Sequence, residues 1–194
     1  MKSGKERLGT GDTGPIVDEW GVPTMFFGPH SEAFWGGMGR VATLSALLED
    51  RLIALLASLR RQAFDAAPPP GLGALLSQLG AEYRARAEIT AWVDFGEYLA
   101  RVRRCVTYRN DLVHSLWPVQ PGGRILFGHR LRSVPRDHRT ADGPVAERRL
   151  VTTTMDELQS VVTELVALAD GDFRRWYSLA NAPASSPSTQ GDVG

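Results

Sequence analysis

Cysteine is nearly absent from this chain, and lysine almost as scarce. A single cysteine, Cys105, excludes an internal disulfide and a thiolate zinc cluster, and fits a reducing compartment. Lysine occurs only at Lys2 and Lys5, so the cationic chemistry belongs to arginine. Acidic and basic side chains balance at 22 each. That balance excludes a global field steering the protein to nucleic acid or membrane and leaves only local preferences. No apolar run approaches the roughly 18 residues of a membrane span. The polar, Gly-rich start M-K-S-G-K-E-R-L-G-T-G lacks the apolar segment of a signal peptide. A cytoplasmic protein with no membrane partner is expected, and its 194 residues suit one domain with tails.

Those tails are expected at 1–19 and 181–194, where small polar residues, Gly, Ser and Pro dominate. Between the first tail and the domain, residues 20–37 form an aromatic-rich arm holding Trp20, Phe26, Phe27, Phe34 and Trp35. Rings of this kind rarely stay free in water, so the arm is expected to pack on its own domain or on a second subunit. The run G-G-M-G-R at 36–40 reads as a flexible helix start.

The domain proper, 38–180, carries helical periodicity. Val41, Leu44, Leu48, Leu52, Leu55 and Leu59 recur at steps of three and four, giving a helix over 41–64 that Pro68-Pro69-Pro70-Gly71 stops. Leu72 to Leu79 gives a short helix that continues through Tyr83. A long helix follows over about 86–115, with the stripe Trp92, Phe95, Leu99, Val102 and Val106. Two β-rich stretches, 123–132 and 145–154, read as a hairpin spanning about 123–154. Thr154-Met-Asp-Glu157 is a capping box that opens a last helix reaching about Leu179. The expected fold is mainly α: about four bundled helices with a two-stranded β-hairpin before the last one.

Chemistry concentrates in Y-R-N-D-L-V-H-S-L-W-P, Tyr108 to Pro118, at the end of the long helix. Arginine offers a planar fork of donors matched to phosphate, and histidine exchanges protons near neutrality. Arg109 and His114 together hold the means for metal-free RNA cleavage. His114 would act on a ribose 2′-OH or the leaving oxygen, and Arg109 would hold the phosphate. Asn110 would orient the phosphate or the imidazole. A five-residue step, however, puts the two side chains roughly 140° apart on a straight helix. Convergence needs the helix to unwind near 112–116 or two copies to meet across a two-fold axis. The plainer alternative is structural: His114 complements the helix dipole, and Arg109 with Asp111 serves pairing at the surface or at a dimer interface.

The motif R-N-D-L-V-H, with its Arg109, polar Asn110 and four residues before His114, resembles the signature of the HEPN superfamily. That resemblance implies a helical homodimer acting as a metal-independent endoribonuclease of the toxin or phage-defence kind. It also implies a regulator or antitoxin carried on a separate chain, if there is one. Some relatives of this kind bind RNA or a partner without cutting it. The hairpin region adds Arg124, Arg130, Arg132, Arg136, Arg139, Arg148 and Arg149 against Asp137, Asp142 and Glu147, a local excess of four positive charges suited to an RNA backbone. The candidate RNA-contacting residues are therefore Arg104, Tyr108, Asp111, Arg124, Arg130 and Arg132. Neither His129 with His138, nor Cys105 with His30, has a metal-ligand spacing, so no metal or other cofactor is expected.

Overall fold

The computed structural model describes Val17 and residues 32–62, 71–86, 90–117, 125–133 and 146–182. Apart from Val17, Asn181 and Ala182, the expected tails lie outside these residues, as do most of the arm and the hairpin tip; Asn181, expected to open the second tail, still belongs to the last helix. The element order is α1 (Glu32–Arg60), α2 (Leu72–Arg84), a 3-10 turn (Thr90–Trp92), α3 (Phe95–Val113), β1 (Ile125–Ser133), β2 (Ala146–Thr154), α4 (Met155–Ala167), a π turn (Leu168–Asp172) and α5 (Phe173–Asn181). α4 and α5 run on through the π turn with helical backbone at both junctions. The architecture is thus a bundle of four helical rods, with an antiparallel hairpin inserted before the last.

α1 lies against α2, α3, α4 and α5. It buries Val41, Leu48, Leu52, Leu55 and Leu59, the stripe that the spacing of three and four dictates. It also starts nine residues earlier than the apolar pattern suggests. Phe34, read as part of an arm, is only 1% exposed and belongs to the core of its own chain. The glycines of G-G-M-G-R lie inside the helix. At Gly37 this serves a contact, because a Cβ there would meet the buried Leu158 of α4, with Leu158 Cγ at 3.0 Å. α1 ends at Arg60, before the prolines. The Arg61 and Gln62 amides donate to the carbonyls of Ser58 and Ala57 at 3.1 and 3.0 Å, while Arg61 takes the left-handed φ of 53°. This is a Schellman stop made without glycine.

The long helix expected from residue 86 is shorter. Its N-terminal part is a separate 3-10 turn, and α3 begins only at Phe95. The Trp92–Phe95 step of three fits a 3-10 turn as well as an α-helix, so the apolar spacing does not distinguish them. Trp92 meets Phe95 edge to face at 5.2 Å and tilts against Trp176 of α5 at 5.5 Å. Phe95 stacks on Tyr98 at 5.6 Å. These four rings form one buried aromatic group joining α3 to α5, and each ring contact adds on the order of 1 kcal/mol beyond its area burial.

Arg101 of α3 ties the same rods at their edge. Its guanidinium donates to Glu164 Oε1 and Oε2 at 2.6 and 3.0 Å and to Asp172 Oδ2 at 2.8 Å. The π turn carries Asp172 to this position. Hydrogen bonding from Arg101 holds the Glu164 carboxyl below the usual carboxylate range, and the pairing raises Arg101 in turn. At the start of α4 the capping box is complete. The Glu157 amide donates to Thr154 Oγ1 at 3.1 Å, and the Thr154 amide donates to Glu157 Oε2 at 2.9 Å.

Two stability measurements follow. Gly37→Ala should destabilise by about 1 kcal/mol or more, because overpacking against Leu158 exceeds the gain in helix propensity. Gly39→Ala, with open space around it, should stabilise by about 0.5–1 kcal/mol. Chemical denaturation that gave both substitutions the same sign would contradict the α1–α4 contact. Because the folded carboxyl of Glu164 is depressed, its contribution is present above the unfolded pKa and is lost as pH falls through the folded one. Glu164→Gln should therefore flatten the acid limb of the stability curve below about pH 4.3. Parallel limbs for the two proteins would sink the pairing.

Candidate functional site

The last two turns of α3 are fastened to the hairpin by contacts made on either side of the R-N-D-L-V-H motif. The Trp117 indole Nε1 donates to the Leu112 carbonyl at 2.9 Å, folding the chain back on the helix end. Leu116 and His129 exchange amide–carbonyl bonds of 2.9 and 2.8 Å, so the exit segment pairs with β1 for one residue. Room for the indole comes from Gly128, where a Cβ would stand 3.0 Å from two ring carbons of Trp117. One turn earlier, the Tyr108 hydroxyl and Thr153 Oγ1 of β2 are 2.5 Å apart. Ser115 Oγ donates to the Asp111 carbonyl.

β1 and β2 pair with Gly128 opposite Val151 and Arg130 opposite Arg149. Leu126, Gly128 and Arg130 share the inner face, turned to α3. Two arginines directly opposite repel, and Asp111 stands between them. Its Oδ1 takes a bond of 2.6 Å from Arg130 Nη1, and its Oδ2 lies 3.8 Å from Arg149. Asp111 and Arg130, both expected at an RNA surface, are thus engaged with each other and dock the hairpin. Tyr108, expected to contact RNA, is half-buried and anchors β2; burial raises its hydroxyl.

Arg109 is placed differently. It follows the buried Val102 by seven residues and the buried Cys105 by four, so it lies on the stripe of α3 that faces the bundle. Its guanidinium makes one hydrogen bond, from Nη1 to Asn110 Oδ1 at 2.9 Å. Its Nε is buried and has no acceptor among the described residues. Four described arginines are not exposed: Arg86, Arg101, Arg109 and Arg130. Three pair with Glu82, Glu164 and Asp172, or Asp111. Arg109 alone pairs with no carboxylate among the described residues.

α3 stays helical to Val113, and His114 is its C-cap with φ −98° and ψ 12°. The helix thus ends inside the stretch 112–116 expected to unwind, one residue before the motif closes. His114 is exposed and Arg109 half-buried, and with the helix continuous to Val113 the five-residue step sets the two roughly 140° apart around its axis. Asn110 joins them through the backbone, since its carbonyl accepts the His114 amide at 3.2 Å. The Arg109–Asp111 pair expected on structural grounds is not formed; Asp111 serves the hairpin instead.

Arg104 is 66% exposed at its side chain and holds Glu97 at 3.0 Å, an exposed pair worth little. Arg124 and the side chain of Arg132 lie outside the described residues. Among the described residues no three His, Cys, Asp or Glu side chains gather to hold a metal ion. Cys105, in the floor of a 640 Å³ cavity between α3 and α4, is 4% exposed, and burial pushes its thiol up to about 11. No helix among the described residues is long and apolar enough to cross a membrane.

The two motif neighbours make opposite demands on stability. Replacing Asp111 with Asn should cost about 1–2 kcal/mol, since Arg130 then faces Arg149 unscreened. Replacing Arg109 with Met should be neutral or stabilising, because a desolvated cation without a counter-ion gives way to an apolar chain of similar length. Thermal unfolding in which Arg109→Met lost more than about 1 kcal/mol would mark Arg109 as a structural residue.

Comparison of the chain with protein-family models, with curated proteins and with solved structures finds no match.

Proposed function

We propose that this chain is a metal-independent endoribonuclease of HEPN type, whose working site forms when two copies bring their α3 ends together. The observation that carries the reading is Arg109: a half-buried guanidinium steadied by Asn110 that, among the described residues, has no carboxylate partner and no acceptor for its Nε. A protein keeps such a group at a cost in stability when an anion from outside uses it. A phosphodiester is the anion that the guanidinium fork fits best.

The roles follow from placement. Arg109 binds the scissile phosphate and offsets the charge that builds on it. Asn110 holds one arm of the fork. His114, exposed at the helix end, moves the proton between the ribose 2′-OH and the leaving oxygen. Divergence of the two side chains within one chain is why the second copy enters: Arg109 of one protomer would face His114 of its partner across a two-fold axis. A separate regulatory protein, of the antitoxin kind, belongs to the same proposal, as does a cytoplasmic setting.

The same divergence favours a second reading, an interaction module that binds RNA or a protein through Arg109 without chemistry. One assay separates the two. Purified protein is incubated with a mixed RNA pool in EDTA, beside Arg109→Ala, His114→Ala and an equimolar mixture of the two variants. The enzyme reading expects wild-type cleavage leaving 2′,3′-cyclic phosphate ends. It also expects losses of roughly 100-fold or more in each variant and partial recovery in the mixture, where heterodimers restore one intact site. RNA that is bound but never cut supports the module instead.

A further inference from the structure

Arg84 and Arg103 form a second cationic site that the motif does not include. Arg84 ends α2, and Arg103 lies in the middle of α3. Both side chains are exposed, yet they turn to one point on the α2 backbone. A Cβ placed on Gly80 would be 3.6 Å from Arg103 Nη2 and 3.8 Å from Arg84 Nη1. Gly80 is itself buried, so the two guanidinium tips meet over bare backbone. Neither makes a salt bridge or a side-chain hydrogen bond among the described residues, although most arginines around them do, including Arg60, Arg86, Arg101 and Arg104. The helix dipole accounts for a cation in the last turn of α2. It does not account for a second one brought to the same place from another helix.

Position along α3 relates this pair to the motif. His114 follows Arg103 by eleven residues, close to three full turns, and Thr107 and Asn110 lie between them on the same face. The rise is about 16 Å. An open depression of 410 Å³, lined by Arg103, Arg104, Thr107, Tyr108 and Asp111, runs over this part of the helix. The depression starts at Arg103 and follows α3 as far as Asp111.

We infer that Arg84 and Arg103 clamp a backbone phosphate of single-stranded RNA a few nucleotides away from the phosphate held at Arg109. This rests on the ribonuclease reading for the identity of the polymer. The clamp would supply affinity and register with little sequence preference, as phosphate contacts do. Of the hairpin arginines expected to serve this purpose, Arg130 is occupied by Asp111, whereas Arg84 and Arg103 are unpaired among the described residues.

The test uses the full chain and its Arg84→Gln/Arg103→Gln double variant, with fluorescence anisotropy of a labelled single-stranded RNA of about ten nucleotides. 2′-O-methyl sugars block cleavage while binding is read. The double variant should bind roughly tenfold or more weakly, and its salt slope should fall by about 0.7, the share of the one clamped phosphate. Circular dichroism and thermal unfolding check that the variant is folded. Equal affinity and equal slope for both proteins overturn the clamp, and so does a wild type that does not bind this RNA. Cleavage of the unmodified RNA is measured alongside. Binding that depends on Arg84 and Arg103 without any cleavage keeps the clamp and removes the ribonuclease. Cleavage indifferent to both arginines, with unchanged binding, does the reverse.

Discussion

A single hydrogen bond, from the Trp117 indole to the Leu112 carbonyl, determines how the chain leaves α3. It satisfies one of the carbonyls that a helix end leaves bare and brings the indole against Gly128 and edge to face with Phe34. Leu116 is then positioned to pair with His129, and β1 falls into register over the helix. Once the hairpin is seated, Tyr108 meets Thr153 and Asp111 meets Arg130. The residues of the motif are thereby sorted. Tyr108 and Asp111 are spent on docking, while among the described residues Arg109 keeps only the Asn110 oxygen and His114 stays exposed. A rigid frame around uncommitted polar groups is what a binding or catalytic site requires.

That sorting is a matter of energy as well as position. Asp111 screens two arginines forced into opposition by the strand register. Arg101 is neutralised by two carboxylates, one of them delivered by the π turn. Arg109 receives no such compensation within the described residues, only the Asn110 amide oxygen. Desolvating a cation costs several kcal/mol when nothing pairs with it. At Arg109 that cost is limited by its incomplete burial. The balance leaves a guanidinium better suited to receiving an anion than to holding the bundle together.

Much of this architecture is legible in the sequence. The leucine spacing of α1, the capping box at Thr154 and the β-branched stretches each specify local structure strongly, and the bundle with its hairpin follows from them. Element limits are less legible, for reasons of tertiary contact. Gly37 reads as a flexible start, and only the approach of Leu158 shows why a glycine stands inside a helix. The Trp92–Phe95 spacing is shared by 3-10 and α geometry, so the break before α3 leaves no trace in the pattern. At the site, the conflict at Arg109 was visible: it continues the stripe of Val102 and Val106, where an apolar residue belongs. The engagement of Asp111 with Arg130 and the meeting of Arg84 with Arg103 join residues far apart in the chain, and no local pattern encodes them.

The central claim is that the Arg109 guanidinium awaits an acceptor from outside its own chain. The most direct measurement is the side-chain Nε–H spectrum of the arginines by NMR, with the Arg109 signal identified by its loss in Arg109→Met. A short, non-cleavable 2′-O-methyl RNA is then titrated in. The Arg109 signal should shift and gain protection from solvent exchange as RNA binds. An Arg109 signal that stays in place while other arginines respond would contradict the claim, and would return Arg109 to the role of an unusually placed structural residue.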